Sequence, residues 1–259
     1  MDGIRMLSPL PDIEIIHRGQ GWAAILKPAG YAVAAERNKP AGFKTPLLDA
    51  AARALGVERV MVVHRLDRDT SGVMLLATAP EAHRALSLLF QNRKVDKRYW
   101  ALIRGEAPAD AGEIDASLEP DPGRPGTMRI ARHGREGAKR SLTRWSVLTR
   151  WKGFTLLEAR PETGRMHQIR VHLRHAGLPL AVDPTYGGAA GIFLSELKRG
   201  YKPPKDREEP AILGRVSLHA RSLTIADPAT GEPVTVTAEP PKDLARALDL
   251  LEKHCGRRG

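Results

Sequence analysis

Cysteine is nearly absent from this sequence, with Cys255 as its single example in 259 residues. A disulfide scaffold and a cysteine-rich metal site are therefore excluded, and the composition fits a reducing compartment. Aromatic residues contribute only 5%, and no segment resembles the aromatic strands of an RNA-recognition motif. The sequence therefore predicts neither a zinc-finger module nor a nucleic-acid-binding module with an aromatic platform.

Long apolar runs are also missing. The run Val73–Ala77 is far shorter than the roughly 20 residues that span a bilayer. The N-terminus lacks the basic start and continuous apolar core of a signal peptide. These absences predict a cytoplasmic protein without a membrane partner.

Positive charge is what the sequence has in excess. Lys and Arg total 41 against 30 Asp and Glu, giving a formal charge of +11 and a pI near 10.1. The basic residues form three groups, namely Arg124, Arg129, Arg132, Arg135, Lys139, Arg140, Arg144, Arg150 and Lys152; Arg93, Lys94, Lys97 and Arg98; and Arg165, Arg170 and Arg174. Such clusters predict phosphate binding, and solvated strand faces are the alternative.

Short apolar runs separated by turn residues predict many strands and few helices. The predicted helices cover residues 46–55, 80–93, 165–176 and 242–254. Because these elements follow no regular βαβ order, we expect an α+β fold with an antiparallel or mixed sheet. In the helix over 165–176 the spacing places Met166, Ile169 and Leu173 inward.

Polar residues from His64 to Gly72 separate two apolar strand candidates. Asp67 lies there with Arg65 and Arg68 beside it, which favours a carboxylate able to act as base or nucleophile. A structural salt bridge in a tight turn is the alternative. His64 and His219 fit core histidines equally well.

The segment from Pro161 to Leu173 is the second dense polar stretch. A metal site built from His167, His172 and His175 is conceivable from composition. Arg170 and Arg174 on the same turns would repel a cation, so the sequence predicts no metal.

Six segments together resemble the RluA-type pseudouridine synthases, RNA uridine isomerases. The segments are Lys27–Gly30, His64–Gly72, Lys97–Ala101, Thr163–Leu173, Asp183–Gly187 and Leu218–Ala220. They follow the family order and span about residues 15–240. Leu26 replaces the usual Asn of the first motif, Met166 replaces the usual Thr of the fourth, and residues 31–43 lack the usual continuation.

The resemblance implies a single α+β catalytic domain over residues 1–259, without an S4 domain, around a long mixed, mainly antiparallel sheet with a central RNA cleft. Asp67 would attack a flipped-out uridine at C6 or C1′, Tyr99 would stack on the base, and Arg170 would pair with the aspartate. Arg65 would fill space in the RNA and Leu218 would contact the base. Further RNA or substrate contacts are expected from His64, Thr70, Lys97, Arg165 and His167. No cofactor is implied.

Two other functions remain open at this level. One is an inactive RNA-binding or ribosome-assembly factor with the same fold, and the other is a base-removing glycosidase that uses Asp67. The lack of an S4 domain inclines the expected target toward transfer RNA, with ribosomal RNA left open, and a monomer is the default state.

Overall fold

Strands outnumber helices in the described part of the chain, as the short apolar runs predict. The computed structural model describes residues 10–33, 46–132 and 137–258. The strands are β1 (Glu14–Gly19), β2 (Trp22–Lys27), β3 (Met61–Val62), β4 (Ser71–Ala77), β5 (Asp96–Arg104), β6 (Ala111–Asp115), β7 (Leu118–Pro120), β8 (Met128–Ile130), β9 (Leu142–Trp151), β10 (Phe154–Pro161), β11 (Leu218–Ala226), β12 (Pro233–Thr237) and β13 (Arg257–Arg258). The helices are α1 (Pro46–Leu55), α2 (Pro80–Gln91), α3 (Gln168–His175), α4 (Leu194–Leu197) and α5 (Lys242–His254).

Eleven strands form one long sheet in the order β1-β2-β4-β11-β5-β10-β9-β13, with β12, β3 and β6 attached to β11, β4 and β9. The pair β4 and β11 is parallel, and the other strand pairs of the sheet are antiparallel. The predicted mixed, mainly antiparallel sheet and the α+β class are confirmed. Strands β7 and β8 form a separate two-stranded sheet.

Strand β4 is buried along its whole length because helices cover both of its faces. Val73 and Leu75 pack in one cluster with Leu86 of α2. Met74 and Leu76 alternate to the other face and pack with α1. This double coverage explains why the strand reads as a continuous apolar run rather than an alternating one.

The parallel pair brings the start of β4 against the start of β11. Ala220 pairs with Gly72, whose φ of +124° favours glycine, and a Cβ at Gly72 would lie 2.2 Å from the Ala220 carbonyl oxygen. His219 Nδ1 lies 2.9 Å from Ser71 Oγ and its Nε2 lies 3.1 Å from the Ala238 carbonyl. Burial lowers the pKa of His219 to about 4, so this residue is a satisfied core histidine.

Three sequence expectations need correction. Helix α3 begins at Gln168 rather than at residue 165, because His167 has left-handed backbone with φ of 54°. Met166 therefore precedes the helix and is 37% exposed, whereas Ile169 and Leu173 are buried as predicted. The sequence predicts residues 11–20 to be a leader that enters the first strand, whereas residues 14–19 form the edge strand β1 because their backbone pairs with β2.

No helix within the described ranges combines the length and apolarity needed to cross a membrane.

Candidate active site

A cleft of about 730 Å³ opens beside the parallel strand pair. Its walls come from the loop before β4, the end of α2, β5, the segment leading into α3, and Leu218 at the start of β11. Every residue for which a site role is predicted lines this cleft, namely Asp67, Tyr99, Arg170, Arg65, His64, Thr70, Lys97, Arg165, His167 and Leu218. The fold thus brings together polar segments that are up to about 150 positions apart in the sequence.

Asp67 lies in the loop between β3 and β4, with 19% of its side chain exposed. The buried ammonium of Lys27 fixes this loop, since Nζ donates to the carbonyls of Pro28, Arg68 and Thr70 at 2.8–2.9 Å. Burial lowers the pKa of Lys27 to about 7, against the opposing charges of Asp69 and Asp67. The loop backbone is thereby tied to the end of β2.

Arg170 connects Asp67 to a second carboxylate. Its Nε and Nη2 each donate to Asp183 at 2.8 Å, forming a bidentate pair. The remaining Nη1 donates to Asp67 Oδ2 at 3.4 Å. Arg170 and Asp183 are 6% and 2% exposed, so the guanidinium is held rigidly at the inner end of the cleft.

His167 approaches the same Asp67 oxygen as Arg170, with Nε2 at 3.9 Å from Oδ2. Its Nδ1 lies 2.7 Å from the Tyr186 hydroxyl, which accepts a hydrogen bond from the Met128 amide. The Tyr186 hydroxyl thus holds the imidazole through Nδ1, and the other ring nitrogen, Nε2, is the one nearer to Asp67. Burial lowers the pKa of His167, although the Asp67 charge opposes that shift.

Tyr99 and Leu218 form the apolar wall opposite these charges. Tyr99 is on β5, packs against the clusters on both sides of the sheet, and lines the cleft with Leu218. Burial raises the pKa of the Tyr99 hydroxyl, and the nearby Asp67 charge raises it further. An aromatic ring that lines a cleft in this way can stack on a nucleic-acid base.

The cleft combines a carboxylate, a fixed guanidinium and an aromatic wall. Residues 21–175 match the family model described as RNA pseudouridylate synthase. The chain is 34% identical to ribosomal large subunit pseudouridine synthase D of Xanthomonas campestris over 95% of this chain and 71% of that protein. It belongs to the RluA-type RNA pseudouridine synthases.

Other relatives of the synthase agree. RNA pseudouridine synthase YlyB of Bacillus subtilis is 33% identical over 98% of this chain and 77% of that protein. The solved structure of human RNA pseudouridylate synthase domain containing 1 has a TM-score of 0.67 and 27% identity, covering 91% of this chain and 86% of that one. The structure of domain containing 4 has a TM-score of 0.66 and 26% identity, covering 92% of each.

The remaining predicted site residues differ in how freely they face the cleft of the synthase. Arg65 is exposed at the rim. Thr70 is 2% exposed, and its Oγ1 has no hydrogen-bond partner among the described residues. Lys97 donates to the Thr163 carbonyl at 3.0 Å. Arg165 lines the cleft through a side chain whose Nε is buried and unpaired within the described residues.

The histidines of the synthase are mostly fixed by the fold. His64 accepts the Leu75 amide at Nε2 and stacks on Phe90 with ring centroids 4.4 Å apart. Burial lowers the pKa of His64 to about 3. His172 lies within 3.0 Å of Thr143 Oγ1 and the Ala116 carbonyl through its two ring nitrogens, so neither is available to a metal.

The basic group between residues 124 and 152 carries less free charge than its sequence suggests. Carboxylates from β6, β7 and neighbouring turns pair with several of its arginines, the pairs being Arg129–Glu119, Arg140–Asp115, Arg144–Glu113 and Arg150–Asp110. Arg135 and the acidic Glu136 lie outside the described residues. Phosphate binding by this group would have to compete with those ion pairs.

Asp183 and Tyr186 position other residues of the site, and the sequence predicts no role for either. Asp183 holds Arg170, and Tyr186 contacts both His167 and Arg170, whose guanidinium lies 4.9 Å from the Tyr186 ring centroid. Both belong to the quoted segment Asp183–Gly187. A buried arginine such as Arg170 needs a carboxylate partner, and this need is the signal that points to Asp183.

Proposed function

We propose that the synthase converts a uridine of structured RNA into pseudouridine, with the Asp67 carboxylate as nucleophile on a flipped-out base. The observation that carries this proposal is the position of Asp67 in the cleft, 3.4 Å from Arg170 Nη1. Burial of Arg170 and Asp183 keeps that guanidinium in place. Its positive charge lies beside the half-buried Asp67 carboxylate.

Base flipping explains why the cleft has an aromatic wall. The reacting atoms of a stacked base are inaccessible, so the nucleotide must leave its helix at a cost of a few kcal/mol. Stacking on Tyr99 would return about 1–3 kcal/mol. Leu218 supplies the apolar contact beside it, and the 730 Å³ cavity is within the size range of small-ligand pockets.

The reaction needs no group outside the chain and its substrate. Asp67 attacks C6 of the uracil or C1′ of the ribose, and either route breaks the bond between C1′ and N1. The base rotates, C5 bonds to C1′, the bond between Asp67 and the carbon it attacked breaks, the C5 proton is lost and N1 regains a proton. Atoms and electrons balance, so the RNA mass is unchanged.

Large-subunit ribosomal RNA is the first target to test. Several relatives carry the name ribosomal large subunit pseudouridine synthase D, among them those of Xanthomonas campestris and Pseudomonas aeruginosa. Transfer RNA, which the sequence alone favours, is the second target. Both are structured RNAs whose loops present uridines.

The test is deletion of the gene followed by mapping of pseudouridines through carbodiimide-dependent reverse-transcription stops in ribosomal and transfer RNA. We expect loss of at least one site, restored by the wild-type gene and not by Asp67→Asn. Loss confined to transfer RNA would overturn the ribosomal target, and no loss in any RNA would overturn the proposal. Release of free uracil in vitro would support the glycosidase instead, because an isomerase releases nothing.

A further inference from the structure

Helix α2 ends in a turn that normally requires glycine. The Arg93 amide donates to the Phe90 carbonyl at 3.2 Å and the Lys94 amide donates to the Leu89 carbonyl at 2.9 Å. These two bonds define a Schellman motif, in which the residue at the position of Arg93 is left-handed and is usually glycine. Arg93 has φ of 58°, so the chain has an arginine where glycine, which lacks a Cβ, would be less strained.

The strained residue lies where two cavities meet. Arg93 lines the catalytic cleft and also a neighbouring cavity of about 450 Å³. Lys97 and the segment 161–163 line both cavities as well, so the two cavities adjoin. With Tyr99 two residues beyond Lys97 on β5, this junction is adjacent to the expected position of the target base.

Arg93 and Lys97 are the cations of this junction that no carboxylate of the described residues neutralises through an ion pair. The other basic residues of the second cavity are paired, as in Arg140–Asp115, Arg144–Glu113 and Arg160–Asp96. Lys97 Nζ donates to the Thr163 carbonyl. Burial, with the charge of Arg93 adding to it, lowers the pKa of Lys97 to about 8, and a bound anion would relieve that repulsion.

We propose that Arg93 and Lys97 bind a phosphodiester group of the RNA next to the target uridine, and that the 450 Å³ cavity takes the adjoining nucleotide. This inference rests on the proposed function, since it places the flipped uridine beside Tyr99. Retaining arginine at a left-handed position sacrifices stability for a planar donor group that binds phosphate in bidentate fashion.

The decisive variant is Arg93→Gly, which removes the side chain and relieves the backbone at the same time. We expect its melting temperature to rise by about 2–4 °C. We expect RNA binding to weaken about tenfold, and the slope of log Kd against log salt to change by about one counterion. The probe is a fluorescent transcript of the large-subunit RNA region that contains the mapped uridine, titrated by anisotropy.

Two further variants serve as controls. Lys94→Ala removes the same charge one residue away, from a side chain that lines neither cavity, and should leave Kd within about twofold. Arg93→Lys keeps the charge without the fork and should give an intermediate Kd. In turnover assays Arg93→Gly should raise KM and leave kcat unchanged.

The outcomes separate this inference from the function on which it rests. Wild-type Kd and salt slope in Arg93→Gly, with a raised melting temperature, would overturn the phosphate site while pseudouridine formation continued. An equal loss of binding in Lys94→Ala would also overturn it, because diffuse charge would then explain the effect. The remaining outcome is that the wild-type chain forms no pseudouridine, while Arg93→Gly weakens RNA binding and Lys94→Ala does not. The proposed function would then fail and the anion site would stand.

Discussion

Arg170 donates Nη1 to Asp67 at 3.4 Å while its other two donor nitrogens are held at 2.8 Å by a buried partner. Nη1 is therefore the nitrogen that Asp183 does not bind, and its long contact is with a residue that lines the cleft. This arrangement keeps a positive charge beside Asp67 through a single contact rather than a bidentate pair. A bidentate pair would engage both carboxylate oxygens, whereas here Arg170 hydrogen-bonds to Oδ2 alone.

Asp183 is the residue on which this arrangement depends. We expect Asp183→Asn to lower the free energy of unfolding by about 3 kcal/mol, since it leaves the buried Arg170 charge with only the long contact to Asp67. Asp183 also accepts the amides of Thr185 and Tyr186, so the turn after it should loosen as well. Urea denaturation measures the effect, and a loss below about 1 kcal/mol would contradict it.

Substitution can separate the contribution of the Tyr99 ring from that of its hydroxyl. Tyr99→Phe keeps the ring and should retain kcat/KM within about tenfold if stacking is its main contribution. Tyr99→Ala removes the ring and should lower kcat/KM by about 10–100-fold, the equivalent of 1–3 kcal/mol of stacking. Single-turnover kinetics provide the comparison, and equal losses in both variants would assign the contribution to the hydroxyl instead.

Lys27 gives the synthase a predictable pH dependence of stability. Its folded-state pKa is lowered to about 7 from 10.5 by burial, so the unfolded chain binds more protons between these values. Stability contributed by Lys27 should therefore rise with pH from about 7 to 10.5, with a slope of up to about 1.4 kcal/mol per pH unit. The quantity to measure is the wild-type free energy of unfolding minus that of Lys27→Met, and a difference that is flat or falls with pH contradicts this account.

Gly72 is required by the close approach of β4 and β11. We expect Gly72→Ala to destabilise the fold by about 2 kcal/mol or more. The added Cβ would collide with backbone atoms of Ala220, and alanine would be strained at the positive φ of residue 72. The matched control is Gly123→Ala, where the nearest atom lies 3.6 Å from a Cβ and φ is not positive. Thermal denaturation of the two variants should differ clearly, and equal melting temperatures would show that the strands can separate without cost.

Much of this architecture follows from local sequence. The apolar runs identify β2 and β4, alternation over residues 95–103 identifies β5, and proline at the first turn locates α1 and α2. The start of α3 could not be predicted, because the periodicity of Met166, Ile169 and Leu173 continues through a turn that His167 forms in left-handed backbone. Periodicity reports which side chains repeat, and it does not report which φ a residue adopts.

The candidate site was predictable where one segment carries its own signal. Asp67 and Arg170 stand in dense polar stretches, whereas Lys27 acts through main-chain carbonyls about 40 positions away, which no spacing rule connects. The basic group from 124 to 152 misleads in the opposite direction. Its acidic partners, such as Glu113 and Asp115, come from the preceding strand, so the excess charge seen along the sequence is partly neutralised across the sheet.

The most direct measurement compares wild type with Asp67→Asn on the transcript that carries the mapped uridine, scoring both pseudouridine yield and RNA affinity. Asparagine keeps the size of the side chain and removes the nucleophilic charge. We predict no detectable pseudouridine from Asp67→Asn and a Kd within about threefold of wild type. Turnover by Asp67→Asn at the wild-type rate would contradict the role of Asp67.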